Sequence, residues 1–308
     1  MLANFFGKSK PVNFILITVL FFIYYLLDFI VVKKAEINLG DFYKFLLVTP
    51  LFLLLFFLFN FIISKNKLTR DNSYAFLLFV IGLGFLNAFI IETSIVFTFL
   101  LLFLFFRRVY SLRTLKIVYQ KLFDSGFWLG VLFLISPFYL LYIGLLYAAV
   151  FFFAKITIRT VLIPVVGFIT PVFLYFTYLF WINDLATFYQ LFDTTFTVDL
   201  SFYKTDYYSL FAMTFAFFTG VSLLLRTGKV LSVSNKFKRS WVLLMLHLAI
   251  AIVFISLVEE KNGTEFVTFL FPSTIIMANW LQSMHKKLEI NIVLVAFLIL
   301  SFAIHFIA

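Results

Sequence analysis

RRVYSLRTLKIVYQKLFD, residues Arg107 to Asp124, separates two long apolar blocks, Tyr74 to Phe106 and Ser125 to Ala154. It carries five cations: Arg107, Arg108, Arg113, Lys116 and Lys121. At 100° per residue, Leu112, Leu115, Val118, Tyr119, Leu122 and Phe123 share one arc of a helix, while Arg113, Lys116, Gln120 and Lys121 fall mostly opposite. The spacing predicts an amphipathic helix lying in a membrane surface over 107–124, its cations on anionic lipid head groups and its apolar side among acyl chains. Ile117 and Arg108 sit on the wrong sides of such a helix, and a solvated basic loop is the alternative. On both readings the flanking blocks lie in a membrane.

Composition agrees. Apolar residues make up 64% of the 308, and charged residues only 12%, about half the share of a soluble domain; mean hydropathy is +1.11. The expected class is all-α: a polytopic transmembrane helical bundle forming one integral membrane domain over residues 1–308. The net charge of +10 is read loop by loop as a topology signal, not as a sign of nucleic acid. There is no cysteine, so no disulfide or thiolate site is expected. His247, His285 and His305 are the only histidines, and no two stand at helical metal-ligand spacing. No metal site is expected from them. No motif names a cofactor: Gly-rich phosphate loops, a Ser-His-Asp set and ATPase motifs are all lacking.

Along the chain, a short basic lead ends at Pro11, and Val12 to Val32 follows as a first span, too long for a signal peptide and without a small-x-small site after it. The opening Phe5-Phe6-Gly7-Lys8-Ser9-Lys10-Pro11-Val12-Asn13 resembles the start of an uncharacterised family of polytopic inner-membrane proteins of flavobacteria and their relatives. The resemblance implies a bacterial inner (cytoplasmic) membrane and carries over no chemistry. Phe42 to Ile63 is a second span. The block 74–106 is 33 residues long with Glu92 its one charge, about 50 Å as a single helix against a hydrocarbon core of about 30 Å. A turn at Glu92-Thr93-Ser94 is expected. The block 125–154 is interrupted by Ser136-Pro137, where proline disfavours helix. Spans at 160–181, 209–225, 241–258, 266–282 and 290–307, with a long outer loop at 182–208, bring the count to about 11, or 9 if the two blocks are single helices. Nineteen of the 24 lysines and arginines then fall on one side, leaving Lys33, Lys34, Lys44, Lys204 and Lys261. The N-terminus is expected inside and the C-terminus outside.

Short hairpin arms would leave an outer recess with Glu92 and Asn87 at its floor. Asp41 and Glu92 are the candidate catalytic carboxylates, for acid–base work or for holding a metal. Lys33 and Lys34 are candidate phosphate partners that would neutralise a departing phosphate. Asp28 shares a helix face with Tyr24 and Tyr25 and is read as snorkelling to the interface. His247 is read as hydrogen-bonded between helices. The arrangement resembles, in topology only, polytopic glycosyltransferases that use polyprenyl-phosphate sugars, with an acidic first outer loop and a long later one. It departs from them in a shorter first loop without a paired Asp-Glu motif. The expected role is cell-envelope biogenesis, as such a transferase acting on a lipid-linked substrate. A non-enzymatic subunit that partners other membrane subunits, or a transporter of a small solute or lipid, are the alternatives.

Overall fold

The computed structural model describes residues 2–33, 39–86, 92–194, 198–204, 206–230, 234–259 and 261–307. Among these there is no strand. The helices are α1 (Leu2–Phe6), α2 (Pro11–Lys33), α3 (Leu39–Lys65), α4 (Tyr74–Phe85), α5 (Thr93–Ser111), α6 (Val118–Ile135), α7 (Ile143–Phe153), α8 (Ile158–Trp181), α9 (Leu185–Gln190), α10 (Asp206–Val230), α11 (Asn235–Leu257), α12 (Phe266–Leu281) and α13 (Lys287–Ile307). Three short 3₁₀ turns lie at Leu112–Thr114, Pro137–Tyr142 and Ser201–Lys204. Among the described residues, α2, α3, α5, α6, α8, α10, α11 and α13 are long and apolar enough to cross a membrane. The chain is an all-α, multi-pass membrane protein.

Both long apolar blocks are divided. Helix α4 stops at Phe85 and α5 starts at Thr93, with Glu92 as the residue before it. The second block breaks at Ser136, whose extended backbone (φ −153°, ψ 125°) precedes Pro137, as the steric effect of proline on its predecessor requires.

The surface helix expected over 107–124 is corrected by the structure. Helix α5 continues to Ser111, a 3₁₀ turn follows, and α6 begins at Val118. Leu115 and Ile117 take left-handed backbone (φ 56° and 51°), which ends a right-handed helix and is costly for a β-branched residue. The apolar arc read from the sequence joined Leu112 of the 3₁₀ turn and Leu115 of the connection to four residues of α6.

The chain forms two compact units. Unit 1 comprises Met1–Val96, Leu200–Val233 and Asn262–Ala308. Its centre is α4 and α12, in which every residue is buried. A helix apolar all round must be covered on all sides. With 12 and 16 residues, α4 and α12 are only about 18 and 24 Å long, short of the hydrocarbon thickness of about 30 Å. Longer helices pack on them: α2, α3 and α13 on α4, and α10 on α12. Helix α2 shows the inverted pattern of a lipid-facing element. Val12, Ile15, Leu16, Val19, Ile23 and Leu26 are exposed, whereas Asn13, Tyr24, Tyr25 and Asp28 are buried.

Unit 2 comprises Phe97–Asp199 and Ser234–Lys261. Its main contact is the crossing of α6 and α8, where Gly126, Gly130 and Gly167 leave room for opposing backbone. An ideal Cβ on Gly126 would stand 2.1 Å from the Pro164 carbonyl oxygen, and one on Gly167 2.3 Å from that of Phe123. Gly126 and Gly130 form a small-xxx-small pair, the device by which membrane helices approach where lipid removes the hydrophobic driving force.

Candidate functional site

The strongest chemical feature lies in unit 1, where α2, α4 and α13 pack against one another. On α2 the buried row runs Ile17, Phe21, Tyr24, Tyr25, Asp28; on α13 it runs Ile290, Leu294, Phe297, Ser301, Ile304, His305. Both rows follow the helical period, so each helix turns one face inward and places one titratable group near its end. Asp28 Oδ1 and His305 Nδ1 meet at 2.7 Å, each side chain 1% exposed. One turn back, the Tyr24 hydroxyl and Ser301 Oγ are hydrogen-bonded at 2.6 Å. The Tyr24 ring lies beside the rings of Phe302 and His305, at centroid distances of 4.8 and 5.7 Å. Helix α4 contributes an absence: a Cβ on Gly84 would stand 2.6 Å from the Tyr24 ring, so glycine there lets the ring lie against the backbone.

Asp28 Oδ1 and His305 Nδ1 are in close contact without the alignment of a hydrogen bond, and a carboxylate beside an imidazole is an arrangement that can steady the ring for proton transfer. Both ring nitrogens of His305 are buried and neither makes a hydrogen bond among the described residues. A buried polar atom left unsatisfied costs about 1–3 kcal/mol, and inside a membrane an ionisable group of this kind is a functional candidate.

The residues expected from sequence are placed at helix ends. Lys33 is the last residue of α2, and Asp41 falls in the first turn of α3. Lys34 lies outside the described residues, as does Asn87. Glu92 is exposed at the start of α5; its backbone carbonyl accepts from Ile95 and Val96, and its carboxylate accepts from the Ser94 hydroxyl at 3.3 Å. The described contacts of Glu92 thus lie within its own turn.

The basic segment is a connector between helix ends. Arg108 pairs with Asp124 at 2.7 Å, and Lys121 Nζ donates to the Ser111 carbonyl (2.6 Å) and to Thr114 Oγ1 (2.7 Å). Two of the five cations thus tie α5 to α6. Lys116 is exposed between the exposed apolar side chains Leu115 and Ile117.

Two further buried sites hold titratable groups. In unit 2, His247 is fully buried, with the Tyr110 hydroxyl 2.9 Å from Nδ1 and the Phe106 ring at 4.3 Å. In unit 1, Glu265 accepts from the Tyr203 hydroxyl and from the Asn262 N–H (3.4 Å). Burial, then the nearby Glu265 charge, pushes the Tyr203 hydroxyl well above its ordinary value. Among the described residues no group of three His, Asp or Glu side chains gathers as a metal site. No family model, curated protein or solved structure matches the chain.

The Asp28–His305 pair is the feature that sequence reasoning did not assemble. Asp28 does not snorkel; it is enclosed. A signal was present, since Asp28 follows the start of α2 by about as many residues as His305 follows the start of α13, and two helices running the same way bring such residues to one level.

Proposed function

We propose that the protein acts in cell-envelope biogenesis at a bacterial inner membrane, N-terminus inside and C-terminus outside, as a transferase taking a group from a polyprenyl-phosphate-type donor to a hydroxyl. The observation that carries this reading is the buried Asp28–His305 pair, whose imidazole makes no hydrogen bond among the described residues. In the proposed step Nε2 takes the acceptor hydroxyl's proton while the oxygen attacks the donor carbon, and the phosphate leaves with the electrons of the broken bond. Asp28 stabilises the imidazolium that forms. Lys33, Lys34, Asp41 and Glu92 are assigned to the outer end, where the lysines would neutralise the departing phosphate. Arg107, Arg113 and Lys116 face anionic head groups on the inner side. The apolar helices and the one-sided lysines and arginines support this orientation.

A second reading, proton-coupled movement of a small solute or lipid, is favoured by the position of the pair between two helices long enough to cross the membrane. One experiment separates the two. The full chain, and its Asp28→Asn variant, are placed in vesicles that contain a pH dye and are given a short-chain polyprenyl-phosphate sugar. Sugar release that the substitution abolishes supports the transferase. Gradient-driven proton entry that the substitution abolishes, without sugar release, supports transport. Neither signal would overturn both and leave a non-catalytic subunit of a larger membrane complex.

A further inference from the structure

The opposite end of unit 1 holds a second unexplained charge. Arg226, on α10, is 8% exposed, and its Nε has no hydrogen-bond partner among the described residues. No carboxylate among them pairs with it, and its electrostatic neighbour is another cation, Arg70. A buried guanidinium nitrogen left unsatisfied is costly, and the like charge of Arg70 adds to that. An anion at this end would offset both costs.

A cavity of about 410 Å³ lies at this end, within the range of small-ligand sites. Its lining includes Lys8, Arg70, His285 and Lys287, with Asp71 as the one carboxylate. An adjoining cavity of about 350 Å³ shares Met284 and His285 with it and adds Lys229 from α10, one turn beyond Arg226, together with Lys286 and the Glu289 carboxylate that pairs with it. The walls are held by hydrogen bonds that do not involve the side chains of these cations. Gln282 Oε1 accepts from the Arg70 backbone N–H (3.2 Å) and from the Asn72 amide. Asn291 Oδ1 accepts from the Ala3 N–H (2.8 Å), and the Tyr74 hydroxyl donates to the Ala3 carbonyl (2.7 Å). The N-terminal helix, the loop after α3 and the start of α13 are therefore fixed around the cavity before any ligand arrives.

We propose that this end of unit 1 binds a phosphate-bearing anion, with Arg70, Lys8 and Lys287 of the cavity lining as its partners and Arg226, which lines neither cavity, adding positive charge from α10. Several converging cations suit a phosphate's multiple charged oxygens better than a carboxylate, and the planar fork of arginine matches two of them at once. The site stands apart from the Asp28–His305 pair by about 25 Å, from the helical rise between Pro11 and Asp28, and does not depend on the transferase reading.

The test uses the full chain in an uncharged detergent, with the thermal unfolding midpoint as readout. Inorganic phosphate is compared with chloride at equal ionic strength, and phosphatidylglycerol is compared with phosphatidylcholine in mixed micelles. A midpoint raised by several degrees with phosphate identifies a soluble phosphate compound as the ligand, and a rise with phosphatidylglycerol alone identifies a lipid head group. In Arg226→Met the rise should shrink while the anion-free midpoint stays level or increases, because a like charge and a buried unsatisfied nitrogen have been removed. Arg70→Gln, at an exposed position, should reduce the rise without altering the anion-free midpoint. No rise from either probe, or a rise that both variants retain in full, overturns the proposal.

Discussion

Replacing Gly167 of α8 by alanine adds one methyl group at the tightest kind of contact in unit 2. The new Cβ would stand 2.3 Å from the Phe123 carbonyl oxygen and 3.1 Å from the Phe127 nitrogen. Both obstacles are backbone, so no side chain can rotate away, and α6 and α8 must separate by about 1 Å to restore ordinary contact. Overpacking of this kind costs about 1–3 kcal/mol, and alanine returns at most about 1 kcal/mol of helix propensity. From these two terms the expected net loss is about 1–2 kcal/mol. Gly126→Ala, whose Cβ meets the Pro164 oxygen at 2.1 Å, should cost a similar amount. The double variant should cost less than the sum, because the first methyl group already pushes the helices apart. Gly220→Ala and Gly228→Ala on α10 supply the control: nothing lies within 4 Å of either new Cβ, so each should be neutral or stabilising by up to about 1 kcal/mol. Reversible unfolding in mixed detergent–lipid micelles, followed by circular dichroism, reads all four single variants and the double. The reasoning fails if Gly167→Ala and Gly220→Ala shift stability in the same direction by the same amount, or if the two crossing variants are additive.

Other consequences can be checked in the same preparation. His305→Ala takes the imidazole away from the buried Asp28 carboxylate and should cost about 3–5 kcal/mol, read as lowered unfolding stability. Asn279→Leu removes the amide that donates to the Leu68 and Ile275 carbonyls at 2.9 Å, leaving buried acceptors short of a donor, for an expected loss of about 1–3 kcal/mol. Because the Tyr203 hydroxyl is held above its ordinary value of 10.0, its contribution to folding is complete below that pH and declines as pH rises past it. The thermal midpoint should therefore fall as the solution is made more alkaline than this value, and fall less in Tyr203→Phe. Neutralising Arg107, Arg113 and Lys116 together should weaken attachment of the 107–124 connector to anionic lipid by roughly 1 kcal/mol per cation at low salt, measured by the quenching of a probe attached through Tyr119→Cys in a chain that has no other cysteine.

Membrane class, helix positions and the two interruptions were legible because they rest on local chemistry: apolar length, proline geometry at Ser136-Pro137 and the polar Glu92-Thr93-Ser94 step. What stayed hidden depends on which helices touch. Hydropathy showed Asp28 one turn from a helix end but could not show that His305, near the other end of the chain, closes over it. The same limit hid Arg226, which reads as one more basic residue of a loop until α10 is seen to extend to Val230. The surface helix over 107–124 failed for a different reason. A helical periodicity counted across Leu115 and Ile117 assumes right-handed backbone, and both residues are left-handed. The Gly126-x-x-x-Gly130 pair could have been read from the sequence as a close helix contact, although not its partner Gly167.

The double variant Asp28→Leu/His305→Leu tests most directly whether the buried pair serves chemistry or packing. Replacing both members of a buried ion pair by apolar residues is often neutral or stabilising, so this protein should reach the membrane at the wild-type level and unfold no more easily. Introduced into a deletion strain, it should nevertheless fail to restore the envelope. Full restoration by a stable double variant would contradict the account, because the pair would then be dispensable to function.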